Sequence, residues 1–430
     1  MNQNKFSSNK GFLLSSIGGA VGFGNVWMFP CKLKEYGVTF LIFYLLLAFS
    51  VGLVLLNLEF LLGKYLRTDV ISLYRVNAPK IKIIGALTMI SPLIILTYYC
   101  AAGGMCIKYL CKNIISVFQC EKINLLLNFN GFYTIMFIVL IYCLSSMKVG
   151  NGIERFNSIA VPLLMLAVVT WAVILIFGKN FDDIIKEVFK NNNYSMKHCL
   201  KIFATASDQM FFSLSIAVGS MITYGSMMPD NQNTVKSSVS VVIADTLFAL
   251  AMSVVVMSAS INESFIGNGP QLIFDSMQNV FDKGGFYGDL LGTLFYFALI
   301  IAALTSAVSY VEVPISALTN VSTVKREKII IFCLLIIVVP ALYITTESFS
   351  VFYHIISFIG EGLVVPLTAF LSSLNFTQLK QSWIVDEFLC AEIKNVFVRK
   401  TFSFVLKYIA ECVIITVLLF QIITFLQIAN

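Results

Sequence analysis

The chain has 430 residues, of which 58% are hydrophobic and only 12% charged, with a formal net charge of +6 and a mean hydropathy of +0.87. A soluble core of this length has no need of repeated apolar runs of about 18 residues or more, the span that a bilayer demands. The composition therefore excludes a water-soluble protein and predicts an all-α, polytopic integral membrane protein in contact with lipid.

Eleven spans are expected, at 11–33, 38–66, 83–111, 131–147, 152–178, 200–226, 234–261, 287–316, 329–346, 349–374 and 402–427. Basic residues concentrate on one side, among them Lys5, Lys10, Lys64, Arg67, Arg75, Lys148, Arg155, Lys325 and Arg326. The positive-inside rule makes that side cytoplasmic, with the N-terminus inside and, after an odd number of spans, the C-terminus outside. The first apolar run is not followed by a small-residue cleavage site, so it reads as a span and not as a cleaved signal.

The first span carries GGAVGFGNVWMFP (18–30), dense in glycine at its own midpoint. Unpaired backbone groups are intolerable in lipid but acceptable where they line a polar cavity inside the protein. Glycines around Ala20 and Val21 lower the cost of unwinding. The freed carbonyl oxygens suit a small hard cation, and the two half-helix ends favour an anion and a cation respectively. Asn25 adds a side-chain oxygen at the same depth. The alternative is a packing motif of small residues, for which Gly18 and Gly22 have the spacing. In the second span, Glu59 of NLEFLLGKY (57–65) is placed to brace unwound backbone by accepting N–H bonds.

The fifth span holds Gly152 and Pro162, which either let the helix unwind or simply punctuate it. Residues 179–199 predict a short surface helix, and 262–286 a turn-rich loop with an apolar middle, either a lid or an ordinary exposed loop. The sixth span is interrupted at SLSIAVGS (213–220), the counterpart of the break in the first. Spans one to five (11–178) and six to ten (200–374) thus read as inverted repeats within a single transporter domain, with 402–427 as an additional helix. Paired interruptions at matching positions point to a transporter's binding site. Asp245 in the seventh span has no basic residue nearby in sequence, and an intramembrane carboxylate is expensive and usually functional. A bound cation or a proton would compensate it. In the eighth span, AALTSAVS (302–309) sets Thr305 and Ser306 side by side one turn after Ala302, either completing an oxygen cage or bonding their own helix.

The ten cysteines are scattered through apolar segments, with no CxxC and no cluster with His198 or His354. That pattern favours free thiols, with a disulfide among Cys111, Cys120 and Cys199 as the alternative, and argues against a metal centre.

Taken together, GGAVGFGNVWMFP, LEFLLGKY (58–65), IILTYYCAAGG (94–104), GIERFNSIAVP (152–162), DQMFFSLSIAVGSMITYGS (208–226) and AALTSAVSYVEVP (302–314) resemble the neurotransmitter:sodium symporters, particularly their bacterial amino-acid-transporting members. The resemblance covers the whole chain and implies about 11 helices in a 5+5 inverted repeat with broken first and sixth helices. It implies two Na⁺ sites: the Ala20 carbonyl, Asn25, Ser213 and Asp245 with the substrate carboxylate, and the Gly18, Val21 and Ala302 carbonyls with Thr305 and Ser306. The substrate-binding set it implies is Gly19, Ala20, Gly22, Gly24, Ile95, Tyr99, Phe212, Ser213, Ser215, Val218 and Ser306. Gly22 replaces the aspartate of monoamine transporters, which favours an amino acid as cargo. Small residues at Gly19 and Val218 suggest a large neutral or aromatic side chain, unless Phe23 or Tyr310 refills the space. Ala249 stands where chloride-dependent relatives carry serine, so chloride independence is expected.

The departures from the family pattern fall at the gates. Met28 and Ser357 (in HIISFIGEGLVVP, 354–366) replace the outer ion pair, and Gln3 and Phe6 replace the inner latch. The expected function is sodium-coupled amino-acid symport by alternating access. A proton-coupled transporter using Asp245 or Glu59 and a non-transporting amino-acid sensor are the alternatives. No nucleophile–base pair, phosphate-binding loop or nucleic-acid motif is present in the sequence, so an enzyme, an organic cofactor and a nucleic-acid partner are not expected.

Overall fold

The computed structural model describes residues 5–77, 82–119, 129–150, 152–177, 181–190, 194–260, 272–346, 351–377 and 382–429. Among them the secondary structure is helical throughout. Gln3, Cys120 and residues 262–271 of the predicted turn-rich loop lie outside the described residues; its remainder is not a loop but helical from Leu272 to Lys283.

Helix α1 (Asn9–Ala20) starts at Ser8, whose hydroxyl accepts from Gly11 N, and stops at Val21, which is extended. After a bend the chain re-enters helix through a π-helical turn at Gly24–Met28 and continues into α2 (Phe29–Leu47). A left-handed residue inside α2, Gly37 at φ 59°, reverses the chain from the first span to the second. A β-carbon there would stand 2.6 Å from Val188 O on the predicted surface helix, so only glycine meets both demands. Helices α3 (Leu53–Leu66), α4 (Val70–Asn77), α5 (Ile83–Val117), α6 (Asn130–Ser146) and α7 (Ile153–Ile176) complete the first half.

The surface helix is α8 (Phe181–Val188), which buries Ile184 and Val188. The sixth span is broken as expected, into α9 (Met196–Ser213) and α10 (Ser220–Ser226). Ser215, Ala217 and Gly219 all take positive φ between them, so two of the three left-handed residues carry a side chain. Then follow α11 (Thr234–Ser260), α12 (Gln278–Lys283), α13 (Gly285–Val321), α14 (Arg326–Thr346), α15 (Val351–Ser357), α16 (Val365–Thr377), α17 (Ser382–Glu392), α18 (Val396–Phe404) and α19 (Ala410–Ala429).

Eight helical stretches among the described residues are long and apolar enough to cross a bilayer, with Asn130–Ser146 shorter. The 43-residue stretch Gly24–Leu66 folds back at Gly37 and serves two spans. The broken pair α9/α10 is not among the eight, because α9 carries Lys197, Lys201 and Asp208 and α10 has only 7 residues; with that pair and Asn130–Ser146 counted, the eleven expected spans are all represented. Several helices overrun the predicted edges, α5 to Val117 and α13 to Val321, because amphipathic ends outside the hydrocarbon continue to pack against neighbours. Helix α7 runs unbroken through Pro162, with Gly152 capping it; in this conformation the two residues punctuate the helix and do not unwind it. Cys111 and Cys199 are free thiols.

The core is one continuous apolar body, in which α1, both halves of the sixth span, α5 and α13 are most deeply enclosed. Apolar residues such as Leu46, Ile159, Leu166 and Val339 face outward. That inside-out distribution is expected where the solvent is lipid and helices associate by packing and polar contacts, not by hydrophobic exclusion.

Candidate functional site

Two clusters of oxygen atoms form where the broken helices meet α11 and α13. In the first, Asn25 Nδ2 donates to Asp245 Oδ1 at 2.8 Å and to Ser213 Oγ at 2.9 Å. Ser213 Oγ donates to Asp245 Oδ2 at 2.6 Å, and Tyr44 Oη donates to the same oxygen at 3.1 Å. Asn25 Oδ1 accepts from Gly22 N at 3.1 Å, tying the cluster to the bend in the first span. Asp245, Asn25 and Tyr44 have no exposed surface, and Ser213 has almost none. The charges of Asp245's hydrogen-bonding neighbours sum to zero: the carboxylate meets an amide, a hydroxyl and a phenol. Ala20 ends α1 beside this cluster's bend and is buried.

In the second cluster, Ser306 Oγ donates across helices to Val21 O at 2.9 Å and Gly18 O at 3.2 Å. Thr305 takes the local option and donates to Ala302 O at 2.9 Å on its own helix. The two adjacent hydroxyls therefore part, Ser306 reaching the first span and Thr305 bonding its own helix. Gly18 can approach only because it lacks a side chain: a β-carbon would stand 3.0 Å from Thr305 Cβ and 2.8 Å from Val161 Cγ2.

Between the clusters, a β-carbon on Gly22 would stand 2.7 Å from Tyr99 Oη and 2.8 Å from Ser306 Oγ. The Phe212 ring lies on Gly24, leaving no room for a β-carbon. Gln209 Nε2 donates to Gly24 O at 3.1 Å, and Ser215 Oγ to Gly19 O at 2.9 Å. Tyr310 Oη lies 3.1 Å from Ser215 Oγ, and its ring meets that of Tyr99 edge-on at 5.4 Å. Ser309 and the Met221 methyl fill the space beside Gly19. The room expected beside Gly19 is thus taken by Ser309 and Met221, with Tyr310 on Ser215. Ile95 and Val218 are buried in the surrounding core.

Glu59 behaves as its position predicts: its carboxylate accepts from Ala217 N at 2.5 Å and steadies the break in the sixth span.

Ion pairs lie close to the positions where the family pattern was expected to be broken. Met28 and Ser357 line the same cavity, of about 290 Å³. An ion pair is nevertheless present there, one turn beyond Met28: Lys32 Nζ meets Asp208 Oδ2 at 3.4 Å. Gln421 of α19 donates to the other oxygen of Asp208 at 2.7 Å. On the opposite side Phe6 is buried, donates its N–H to Met227 O at 3.0 Å, and packs edge-on against Phe12 and Tyr224. Lys5 and Arg67 both pair with Asp230, at 3.2 and 2.5 Å. The Lys5 hydrogen bond, and then the Arg67 charge, hold the Asp230 carboxyl below its usual range. Ion pairs thus lie one turn from Met28 and at the start of the first span, next to Phe6.

Three groups went unnoticed in the sequence. Tyr44 sits in a long apolar run, where only its phenol could have marked it. Glu154 of α7 accepts from Ser7 N at 2.6 Å, Ser8 N at 3.1 Å and both serine hydroxyls at 2.8 Å, fastening the start of α1. Asn157 lies one turn further along α7 and is fully buried. GIERFNSIAVP carried both residues, but nothing in its spacing says which helix they face.

A profile of the Sodium:neurotransmitter symporter family matches residues 3–130 and 124–429. The chain is 27% identical over 421 residues to an uncharacterized sodium-dependent transporter, YhdH, of Bacillus subtilis, covering 91% of this chain and 90% of that protein. It is 26% identical over 400 residues to an uncharacterized sodium-dependent transporter of Methanocaldococcus jannaschii, covering 86% and 81% respectively. Among solved structures, MhsT in complex with L-phenylalanine superposes with a TM-score of 0.85 at 26% identity, over 98% of this chain and all of that one.

Proposed function

Because the chain belongs to the sodium:neurotransmitter symporter family, we propose that this sodium-dependent transporter is a chloride-independent symporter for an amino acid with a large neutral or aromatic side chain. Asp245 carries the reading: a fully buried carboxylate, hydrogen-bonded only to neutral groups, beside the two helix breaks. Such a carboxylate is stable in a bilayer when a cation shares its site. Sodium enters here as co-substrate. A half-turn of the Asn25 amide presents its oxygen to an ion held with Ser213, Asp245 and the Ala20 carbonyl. A second ion would be held by the Gly18, Val21 and Ala302 carbonyls with Thr305 and Ser306, whose hydroxyl hydrogens would rotate away. With its own negative charge at Asp245, the first site needs no anion.

The substrate carboxylate would meet Tyr99 Oη and the backbone amides at Gly22 and Gly24, between the two ions, the Gly22 N–H turning to it from Asn25 Oδ1. Its side chain would displace Tyr310 and Ser309 from the region of Gly19, Ser215, Val218, Ile95 and Phe212. The L-phenylalanine complex of the structural neighbour supports the large apolar side chain. Residues 11–178 and 200–374 act as the inverted repeats whose rocking exposes the site alternately, with the N-terminus cytoplasmic and the C-terminus outside. Sodium shifts that equilibrium only through its different affinity for the two states.

The test is uptake of the twenty amino acids by purified protein in sealed proteoliposomes, with inward Na⁺, H⁺ or Cl⁻ gradients imposed singly. Accumulation driven by Na⁺ alone supports the reading. Accumulation that ignores Na⁺ and follows the pH gradient transfers the coupling to Asp245 or Glu59 as proton carriers. Binding without accumulation identifies a sensor.

A further inference from the structure

Helices α1 and α7 run parallel and in register on the side that Glu154 closes. A β-carbon on Gly11 would run into Glu154 Oε1, and seven residues later one on Gly18 would stand 2.8 Å from Val161 Cγ2, seven residues along α7 from Glu154, and 3.1 Å from Asn157 Oδ1. Both helices rise about 1.5 Å per residue, so equal steps on each keep the contacts level. Ser15 falls four residues after Gly11 and three before Gly18, on the same face by helical periodicity.

Between those two contacts lie polar atoms that the protein does not satisfy. Asn157 has no exposed surface, and neither its Oδ1 nor its Nδ2 has a hydrogen-bond partner. Ser15 is equally buried, and its hydroxyl has none either. The contrast with Ser16 is informative, because Ser16 donates to Phe12 O at 3.0 Å in the ordinary way for a helical serine. Buried polar groups are nearly always paired, so such a group calls for a ligand.

We propose that Asn157, Ser15 and Glu154 form a staging site for a partly hydrated monovalent cation, between the second oxygen cage and the cytoplasmic mouth. The proposal rests on the sodium-coupled reading above. The donor set is an amide oxygen, a hydroxyl and a carboxylate, all hard oxygens suited to an alkali ion. A cation leaving Gly18 O and Thr305 meets Asn157 first, because that amide already reaches Gly18. Glu154 comes one turn later. Its carboxylate is engaged by Ser7 and Ser8, and an arriving cation competes for the same oxygens. Departure of the ion thereby weakens the bonds that fasten the start of α1, which links release to inward opening.

The experiment uses full-length protein in proteoliposomes and compares Asn157→Leu, Asn157→Asp and Ser15→Ala with the unaltered chain. Asn157→Leu keeps the shape and removes the oxygen. It should lower the maximal rate of Na⁺-driven uptake about tenfold while leaving equilibrium binding of radioactive sodium within about twofold, the split that marks a step after binding. Its thermal midpoint should not fall, because an unpaired buried amide is lost. Asn157→Asp should tighten sodium binding about fivefold and also slow turnover. Ser15→Ala, which adds no volume, should slow the maximal rate about threefold and carries the test should the leucine variant fail to fold. A wild-type maximal rate in Asn157→Leu or Ser15→Ala, or equal losses of rate and sodium affinity, would overturn the staging site. If unaltered protein shows no sodium dependence, it is the transport reading that fails, and this one falls with it.

Discussion

Replacing Asp245 by asparagine tests the electrostatic core of the site with little change of shape. Asparagine can still accept from Ser213 and Tyr44, which bond Oδ2 at 2.6 and 3.1 Å, so the packing around a fully buried position survives. What is lost is the charge. An ion seated with Ser213 and Asn25, both within 2.9 Å of the carboxylate oxygens, would lie about 4 Å or less from the carboxylate. At an effective dielectric of about 20 that attraction is about 4 kcal/mol. Three hydrogen bonds already spread the negative charge, so about half of it is a fair lower bound. The expected loss is about 2–4 kcal/mol, or about 30- to 1000-fold in Na⁺ affinity. Equilibrium binding of radioactive sodium to purified protein measures it directly, with a thermal melt in sodium and in choline to confirm folding. An Asp245→Asn protein that folds and binds Na⁺ within about threefold of the original would refute the assignment of this carboxylate to a cation.

Gly22→Ala should weaken substrate binding by about 1–3 kcal/mol, the usual cost of overpacking, because its β-carbon would crowd Tyr99 Oη and Ser306 Oγ; calorimetry of amino-acid binding at saturating Na⁺ reads the loss. Ser306→Ala removes two bonds to α1 and should cost about 1–3 kcal/mol of stability, seen as a lower thermal midpoint together with loss of stabilisation by sodium. Lys32→Met should hardly change stability, since a part-exposed ion pair contributes about 0–1 kcal/mol, but it should speed substrate escape to the outside in a washout assay. At the inner mouth, Asp230's depressed carboxyl means that the latch to Lys5 and Arg67 is fully formed above the ordinary carboxylate range and is lost only as pH falls through the lowered value. A fluorophore on the N-terminal segment should report release only under that acid condition, and Asp230→Asn should be released at neutral pH.

Much of this molecule was legible in its sequence because a bilayer leaves few options. Apolar length marked the spans, and glycine clustering at 18–24 marked one break. Asp245 and Glu59 were conspicuous because a carboxylate in hydrocarbon has to be compensated. Those inferences needed only the properties of the solvent and of single residues. The break at 213–220 was visible too, although its left-handed residues turned out to include Ser215 and Ala217, which intrinsic preference would not have chosen.

What the chain order left open was facing and register. Thr305 and Ser306 are adjacent, yet one bonds its own helix and the other reaches α1, because successive residues on a helix point about 100° apart. The ion pairs of Lys32, a turn beyond Met28, and of Lys5, two residues beyond Gln3, could not be read from the chain order, because each partner is distant in sequence. Tyr44, Glu154 and Asn157 acquire meaning only when α2 meets α11 and α7 meets α1. Periodicity can say which side of a helix a group occupies, but pairing depends on close packing between helices, and only the folded protein decides that.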